Sequence, residues 1–492
     1  MYPSFESVKE LAETGKYKRI PVCEEMLSDR FTTIEIMRTL RAVSSHCYLL
    51  ESAEAHQQWG RYSFLGYAPT MEITCRAGRV KIRKGEDIRE EEIRQEPPQK
   101  VIREILEANK SPKMEGMPAF TGGLVGYFSY DYICYSEPSL HFSSEDPDSF
   151  QDVDLMLFDK VIVFDHYRQK VMVICGVEAD RVEASYQEAE GKLQEMEELL
   201  KSNAKAYFPP VHLKEEIRPC FSRERYTEMV EKAKHYIREG DIFQVVLSNP
   251  MEAKAEGSLF DVYRILRSSN PSPYMVYFSS DDMELVGASP ETLVKLEDGR
   301  LHTFPLAGTR PRGKTREEDL ALEKELLADE KELSEHNMLV DLGRNDIGKI
   351  SRIGSVEVEK YLSIERFSHV MHIGSTVAGQ IREEKDALDA VDAILPAGTL
   401  SGAPKLRACQ IIDELEGRKR GVYGGAIGYL DFTGNLDLCI AIRLAFKKNG
   451  RITIRSGAGI VADSVPDKEF EECRNKAKAV VNAVLQAEEG VK

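Results

Sequence analysis

The chain has 492 residues and a net charge of −17, with 66 Lys and Arg against 83 Asp and Glu. Hydrophobic residues make up 42% of it, more than disordered chains carry, so the composition predicts a folded protein long enough for two or more domains. The acidic balance argues against a nucleic-acid surface or an anionic-membrane surface, and no run is apolar enough to span a membrane. The nine cysteines are scattered without a C-x-x-C pair, which is typical of a reducing, cytoplasmic environment and argues against a zinc site.

The predicted elements of the first part come from the spacing of its apolar residues. In chain order they are a helix over 31–50, strands over 61–84, a charged helix over 90–108, strands over 153–175 and a helix over 178–200. Pro209 and Pro210 follow in a stretch of mixed polarity, which indicates a linker. We therefore place a boundary near residue 205.

The second part alternates helices and strands before it ends in strand-rich runs. Ser222 is expected to cap a helix that ends at Gly240. Near the end, the runs VYGGAIGYLDF, LDLCIAIRLAF and RITIRSGAGIV are separated by short turns and predict an antiparallel meander, not βαβ units. The expected fold class is α+β with substantial antiparallel sheet.

Two pairs of glutamates on predicted helices are candidate ligands of a hard cation. Glu332 and Glu335 form one pair, and Glu469 and Glu472 form the other. The i,i+3 spacing projects each pair from one helix face. Carboxylates without Cys or His suit Mg²⁺ better than Zn²⁺. The alternative is that each pair lies on a solvated helix face, which is the commoner explanation of a lone E-x-x-E.

Two glycine-rich segments, 307–313 and 456–461, follow predicted strands. We expect loops there whose N–H groups bind carboxylates or phosphates, although ordinary turns have the same composition. Neither segment matches a nucleotide-binding motif. Arg443 interrupts the apolar run CIAIRLAF, and a fork-shaped guanidinium at such a position suits a carboxylate.

About a dozen segments then occur in one order, among them GASPE at 287–291, ELSEHNMLVDLGRNDIG at 332–348, AGTLSGAPK at 397–405 and GAGIVADS at 457–464. Together they resemble the family of large, chorismate-binding subunits (component I) of anthranilate synthases. The resemblance implies two stacked, mainly antiparallel β-sheets flanked by helices. It also implies a regulatory, tryptophan-binding part over 1–205 and a chorismate-binding catalytic part over 206–492.

The resemblance implies a Mg²⁺ cofactor and a reaction that begins at the 4-hydroxyl of chorismate. Glu335 and Glu472 match the metal ligands, and Glu332 and Glu469 match their neighbouring or water-mediated partners. Chorismate is a dianion with a poor leaving group, hydroxide, so its ionisation needs both a proton donor and a Lewis acid.

The resemblance also assigns the catalytic and substrate-binding residues. Glu291 matches the acid that protonates the departing hydroxyl, and His372 matches a histidine linked to the later elimination of pyruvate. Thr399 belongs to a further motif and is grouped with the catalytic residues. The positions that match substrate-binding ones are Gly308, Thr309, Tyr423, Arg443, Gly457, Ala458 and Gly459.

Two positions separate the related reactions. Aminodeoxychorismate synthases typically carry a nucleophilic Lys where this chain has Ala307, and isochorismate and salicylate synthases carry a water-activating Lys where it has Gln244. Both differences favour attack by ammonia at C2 and formation of anthranilate. An aminodeoxychorismate synthase without the usual Lys, and a silent sensor of chorismate or tryptophan, are the alternatives.

The resemblance implies two further partners. No cysteine lies in a nucleophile-elbow context such as G-x-C-x-G, so we expect a separate glutamine amidotransferase subunit to supply the ammonia. Ser52, Pro273, Tyr274 and Met275 match the elements that bind L-tryptophan for feedback inhibition. Residues 53–60 lack the Lys that some relatives use in that site.

Overall fold

The structure is a computed structural model that describes residues 1–52, 60–92, 97–202, 204–366 and 370–490. Its helices α1 to α12 are Phe5–Glu13, Thr33–Val43, Gln99–Glu107, Ile133–Ser136, Val182–Lys201, Arg223–Glu239, Phe260–Ser269, Arg316–Ala328, Glu330–Gly348, Ala387–Ile394, Lys405–Glu416 and Pro466–Glu489. Three short 3₁₀ helices lie at Tyr130–Tyr132, Ala179–Arg181 and Gly398–Leu400.

Strands account for most of the remaining described residues. Strands β1 to β13 are Arg19–Leu27, Cys47–Glu51, Tyr62–Tyr67, Met71–Arg76, Arg79–Lys84, Asp87–Glu92, Gly123–Phe128, Val153–Phe158, Lys160–Asp165, Lys170–Glu178, His212–Leu213, Arg218–Pro219 and Gln244–Glu256. Strands β14 to β25 are Tyr274–Ser279, Met283–Ser289, Thr292–Glu297, Arg300–Thr303, Leu306–Pro311, Glu357–Arg366, Val370–Gln380, Gly402–Ala403, Ala426–Asp431, Leu436–Ile440, Leu444–Lys448 and Arg451–Ile460.

The strands form two large sheets. The first has the order β1-β10-β9-β3-β2-β14-β15-β24-β25-β13-β11, and β12 and β21 also pair with β13. The second has the order β18-β20-β17-β16-β23-β22-β7-β8-β4-β5-β6, and β19 pairs with β20. Neighbouring strands in both sheets run antiparallel, for example β2 with β14 and β7 with β22. The predicted fold class, two stacked antiparallel sheets flanked by helices, is confirmed.

Apolar side chains from both sheets fill the space between them. Phe64 of the first sheet lies 5.9 Å from Tyr429 of the second, measured between ring centroids, and both rings belong to one buried cluster. Helices α2, α5, α7 and α12 cover the outer face of the first sheet, and α3, α9 and α10 cover that of the second. Burial of apolar surface in these layers is the main favourable contribution to folding.

The chain crosses between the sheets at two adjacent places. Pro290 and Glu291 connect β15 of the first sheet to β16 of the second, and 441–443 connect β23 of the second sheet to β24 of the first. The two crossings lie side by side because β15 pairs with β24 and β16 pairs with β23. The predicted three-run meander is therefore wrong within LDLCIAIRLAF, which divides between two sheets at Arg443.

Four local predictions are corrected by the structure. The charged helix expected over 90–108 begins only at Gln99, and Asp87–Glu92 is a strand that pairs with β5. The helix over 31–50 ends at Val43, because Cys47–Glu51 pairs with β3 and β14 instead. Segment 307–313, expected as a loop, lies largely in β18, which pairs with β20. Segment 456–461, also expected as a loop, lies in β25 up to Ile460, because it pairs with β13.

The proposed boundary near residue 205 does not divide the sheets. Each sheet contains strands from both sides of it, joined through β2 and β14 in the first sheet and through β7 and β22 in the second. The assignment of a regulatory part and a catalytic part to 1–205 and 206–492 stays a prediction. Within the described residues, no helix has the length and apolar character that a membrane crossing needs.

Candidate active site

A cavity of about 750 Å³ lies between strand β20, helix α12 and the crossing at Arg443. Four of the predicted catalytic, substrate-binding and metal-binding residues line it: Thr309, His372, Arg443 and Glu472. The other lining residues are Arg223, Asn270, Pro271, Ser272, Pro273, Pro290, Val370, Asp467, Lys468, Glu471, Asn475, Lys476 and Ala479. Four cationic side chains and three carboxylates line the cavity. It therefore presents a local excess of positive charge in an acidic protein.

Glu291 and Thr399 meet directly beside this cavity. The Thr399 hydroxyl donates a hydrogen bond to Glu291 Oε1 over 3.1 Å, and both residues line a smaller cavity of about 40 Å³. Burial raises the pKa of Glu291 to about 7, against the lowering effects of Thr399, Arg443 and Lys476. A carboxyl with a pKa near 7 carries a proton that it can donate at neutral pH.

Arg443 has a left-handed backbone, with φ of 51°, an unusual conformation for a residue other than glycine. Arg443 lies where the chain passes from the second sheet to the first. The apolar residues up to Ile440 and from Leu444 onward belong to strands, whereas Arg443 itself belongs to the connection between them. The side chain is half-buried, so loss of hydration lowers the pKa of Arg443, and the nearby Glu291 raises it. A guanidinium remains charged under such conditions and can bind a carboxylate through two N–H groups.

Strands β18 and β20 bring Gly308, Thr309 and His372 together. His372 Nδ1 lies 2.9 Å from the Gly308 carbonyl oxygen and 3.1 Å from Thr309 Oγ1. Because a carbonyl only accepts, the Nδ1 position carries the hydrogen and Nε2 is the basic nitrogen of the neutral ring. Burial lowers the pKa of His372, as does the charge on Arg443. The imidazole is therefore neutral at pH 7, with Nε2 able to accept a proton.

Gly308 is required by the bulge in strand β18. Its φ is +64°, and the strand register shifts between Ala307 and Thr309. A Cβ at this position would lie 3.0 Å from Leu326 Cδ1 and 3.2 Å from Glu332 Oε2. A side chain would therefore disturb both the strand and the glutamate beside it.

The four candidate metal ligands lie on helices α9 and α12. Burial raises the pKa of Glu335, and the charges of Glu332 and Glu472 raise it further. Burial and the charge of Glu472 likewise raise the pKa of Glu469. The two helices thus bring the predicted pairs into one acidic cluster.

These residues fit Mg²⁺ in their donor chemistry. They offer only carboxylate oxygens, and their mutual repulsion is the kind that a bound divalent cation relieves. Within the described parts of the chain, no three acidic, His or Cys side chains are already arranged around a common metal position. Lys476 Nζ lies 2.7 Å from Glu472 Oε1, so a cation of the protein already pairs with one predicted ligand.

Four predicted substrate-binding residues do not line the large cavity: Tyr423, Gly457, Ala458 and Gly459. Tyr423 is buried, which raises the pKa of its phenol. A Cβ on Gly457 would lie 2.9 Å from the Tyr423 hydroxyl oxygen, and a Cβ on Gly459 would lie 2.9 Å from Gln244 Nε2. The absence of side chains at both glycines therefore lets two polar groups approach strand β25.

Of the predicted tryptophan-binding residues Ser52, Pro273, Tyr274 and Met275, Pro273 lines a second cavity, of about 760 Å³. Pro273 lines both this cavity and the first one. The Tyr274 hydroxyl donates to Asp437 Oδ1 over 2.8 Å, and Asp437 lines the second cavity. Met275 pairs with Glu51, which precedes Ser52. Segment 53–60 lacks the Lys that some relatives use, and its residues 53–59 lie outside the described residues.

Three further cations line the first cavity and were not predicted from the sequence: Arg223, Lys468 and Lys476. Lys476 had a visible signal, since it follows Glu472 by four residues and so occupies the same helix face. Arg223 forms ion pairs with Asp467 and Glu471 of α12, a contact between distant segments that spacing does not reveal.

Comparison with known proteins shows which family the chain belongs to. A family model described as chorismate binding enzyme matches residues 45–482. Component 1 of anthranilate synthase from Acetivibrio thermocellus is 45% identical over 99% of this chain and 99% of its own length. Anthranilate synthase component I from Streptococcus pneumoniae TIGR4 has a TM-score of 0.76 at 38% identity, covering 93% of this chain and 99% of that chain.

The menaquinone-specific isochorismate synthase from Escherichia coli has a TM-score of 0.68 at 18% identity, over 98% of this chain and 100% of its own, and so shares the fold. The resemblance drawn from the sequence motifs is confirmed by the full-length identity and by the matching family model. The chain belongs to the chorismate-binding enzymes, in the family of anthranilate synthase component 1.

Proposed function

We propose that the chain aminates chorismate at C2 with ammonia and releases water and pyruvate, giving anthranilate for tryptophan biosynthesis. The observation that carries this proposal is the carboxyl of Glu291, which has a pKa of about 7 and accepts a hydrogen bond from Thr399 beside a cavity lined by Arg443. A buried, protonated carboxyl near a fixed guanidinium suits a dianionic substrate whose hydroxyl must leave.

Different residues of the chain act in substrate binding and in the two stages of the reaction. Arg443 binds a substrate carboxylate, and Glu291 gives its proton to the 4-oxygen as the C4–O bond breaks and ammonia forms the new C2–N bond. Water leaves from C4. The C2 proton is then removed and the enolpyruvyl C–O bond breaks, which makes the ring aromatic and frees pyruvate. Nε2 of His372 accepts or returns a proton in this second stage.

Mg²⁺ would be held by Glu335 and Glu472, supported by Glu332 and Glu469. When bound, it supplies a Lewis acid that stabilises charge developing on the ring carboxylate. The acidic cluster on α9 and α12 supports this assignment through its oxygen-only donors.

A separate glutamine amidotransferase subunit delivers the ammonia. Loss of hydration raises the pKa of every one of the nine cysteines, including the exposed Cys220, where the charge of Glu252 adds to it, so none is the activated thiolate that glutamine hydrolysis needs. All nine are also unpaired, which supports the cytoplasmic location proposed for the enzyme.

L-tryptophan inhibits the enzyme by binding at Ser52 and at residues 273–275. The second cavity beside Pro273 supports this proposal, since Phe64, Tyr429, Lys295 and Asp437 give it aromatic walls and both signs of charge. An aromatic amino acid carries the matching groups. Because Pro273 lines both cavities, the two ligands would compete for one arrangement of this segment and weaken each other's binding.

One assay tests the reaction. The purified chain is mixed with chorismate, Mg²⁺ and ammonium, and anthranilate is followed by its fluorescence, with Glu291→Gln as the inactive control. Formation of anthranilate without glutamine supports the proposal. A 4-amino product would assign the chain to aminodeoxychorismate synthesis, and no product from well-folded protein would leave only a binding role.

A further inference from the structure

A fully buried ion cluster lies behind the candidate active site. Arg420 Nη2 and Arg455 Nη2 each lie 2.5 Å from a different oxygen of Glu416, and all three side chains are buried. Burial alone would raise the pKa of Glu416, but the two arginines hold it below its ordinary value, so the carboxylate is charged. Burying such charges costs free energy that apolar packing would avoid, so stability alone does not explain the cluster.

The remaining donors of Arg420 bind the main chain on two sides of the site. Nη1 donates to the Leu400 carbonyl over 2.6 Å, and Nη2 donates to the Val246 carbonyl over 2.7 Å. Leu400 follows Thr399, the residue that donates to Glu291. Val246 pairs with Gly459 in the ladder between β13 and β25. One planar guanidinium therefore joins the Thr399 segment to strand β13, in addition to the main-chain hydrogen bond from the Val246 N–H to the Ser401 carbonyl over 2.9 Å.

Arg420 also packs on aromatic rings next to the site. Its guanidinium carbon lies 4.6 Å from the centroid of Tyr130 and 5.8 Å from that of Tyr423. Tyr423 in turn approaches Gly457 of β25 with its hydroxyl. Both contacts restrict the orientation of the guanidinium, so that its two main-chain hydrogen bonds have one geometry.

We propose that Arg420 is a positioning residue for catalysis, which holds Thr399 at the distance where its hydroxyl binds Glu291. The proposal rests on the proposed function of Glu291 and Thr399. Arg420 does not line the large cavity. It acts through the Leu400 carbonyl, and Glu416 holds it in place.

The test is a double-mutant cycle on kcat in the anthranilate assay with ammonium. Arg420→Lys keeps the positive charge but loses the fork that reaches Leu400 and Val246 together. We expect it to lower kcat by about tenfold to a hundredfold, the range for a misplaced catalytic group. In Thr399→Val the hydrogen bond to Glu291 is already lost. The fold-loss in kcat that Arg420→Lys adds there should therefore be at least about threefold smaller than the loss it causes in the wild type.

Arg455→Lys is the matched control. Arg455 is equally buried and binds the same Glu416, but its other donors reach Ser248 and the Lys419 carbonyl, not Leu400. A purely structural role would give similar losses in both variants, and each loss would multiply with that of Thr399→Val. The proposal would be overturned if Arg420→Lys and Arg455→Lys lowered kcat equally and independently of Thr399→Val. It would also be overturned if Arg420→Lys left kcat unchanged.

Thermal unfolding by circular dichroism identifies variants that do not fold. If Arg420→Lys is one of them, Glu416→Gln replaces it in the cycle, because it loosens Arg420 while leaving its contacts to Leu400 available. If the wild-type chain makes no anthranilate, the proposed function fails by that result. The cycle is then measured on the pKa of Glu291 by NMR titration, because the Thr399 hydrogen bond lowers that pKa. Arg420→Lys should raise it in the wild-type background but not in Thr399→Val, and equal shifts in both backgrounds would overturn the role of Arg420.

Discussion

Glu291 and Arg443 lie side by side at two crossings between the sheets. The main-chain N–H of Ile440 donates to the Glu291 carbonyl over 2.9 Å, and that of Ala288 donates to the Arg443 carbonyl over 3.1 Å. The first hydrogen bond connects the crossing at Glu291 to strand β23, and the second connects the crossing at Arg443 to strand β15. The proposed proton donor and the proposed carboxylate-binding cation are thus fixed to one rigid part of the fold, as the proposed reaction requires.

Replacing Glu291 by Gln tests its role as the acid. The amide keeps the size of the side chain and can still accept from Thr399, but it cannot give a proton to the departing hydroxyl. We expect kcat to fall by about 10²-fold to 10⁴-fold, the usual contribution of general acid catalysis. Chorismate affinity, measured by isothermal titration calorimetry, should change little. Retention of wild-type kcat would exclude Glu291 as the acid.

The pH dependence of kcat should report the same group. The carboxyl acts in its protonated form, so activity should fall as the pH rises through about 7, the pKa of Glu291. Thr399 lowers that pKa by donating to the carboxylate. Thr399→Val should therefore move the alkaline limb of the profile to higher pH. Thr303→Val is the control, since Thr303 lines the same small cavity but donates to the Leu293 carbonyl. An equal shift in both variants would contradict the assignment.

Gly308→Ala should damage both stability and activity. The backbone at φ of +64° strains any other residue by about 1–2 kcal/mol, and the new Cβ would also press on Glu332. Gly434→Ala is a matched control, because Gly434 also has a positive φ, +94°, with nothing within 4 Å of its Cβ position. The thermal unfolding temperature should fall in both variants, but only Gly308→Ala should lose turnover. Equal turnover in the two would show that the Cβ near Glu332 has no consequence.

Much of the site was predictable because its residues lie in local motifs. Arg443 within CIAIRLAF and the paired glutamates could be selected as candidates from residue type and spacing, and Glu291 in GASPE from the family resemblance. The connections between them could not, since they depend on strand pairing over long separations: His372 binds the carbonyl of Gly308, and Cys47–Glu51 is a strand because it pairs with β14. Local propensity favoured a continuous helix there, and tertiary pairing overrode it. Arg420 had no signal, because a buried arginine in GRKRG looks like a solvated one.

Removing one candidate metal ligand should weaken Mg²⁺ binding. Glu335→Gln eliminates a charge from the acidic cluster, and we expect the Mg²⁺ affinity measured by calorimetry to fall at least about tenfold, as for other ligand-shell changes. Glu330→Gln on the same helix is the control, because it begins α9 on the exposed side. Chelation by EDTA should abolish turnover in the wild type, and added Mg²⁺ should restore it. Unchanged Mg²⁺ affinity in Glu335→Gln would exclude that residue as a ligand.

Ser52→Ala tests the regulatory site. Ser52 follows β2, whose last residue Glu51 is held by Arg267 Nε at 2.6 Å and by Thr33 Oγ1 at 3.2 Å. This anchoring fixes the end of the strand, so removal of one hydroxyl should leave the fold and the uninhibited turnover unchanged. Inhibition by L-tryptophan should need at least about fivefold more inhibitor, the loss expected for one hydrogen bond. Ser45→Ala, before the same strand, is the control and should keep wild-type inhibition. Because coupling between sites is reciprocal, chorismate should also weaken tryptophan binding in the wild type. Wild-type inhibition of Ser52→Ala would remove Ser52 from the site.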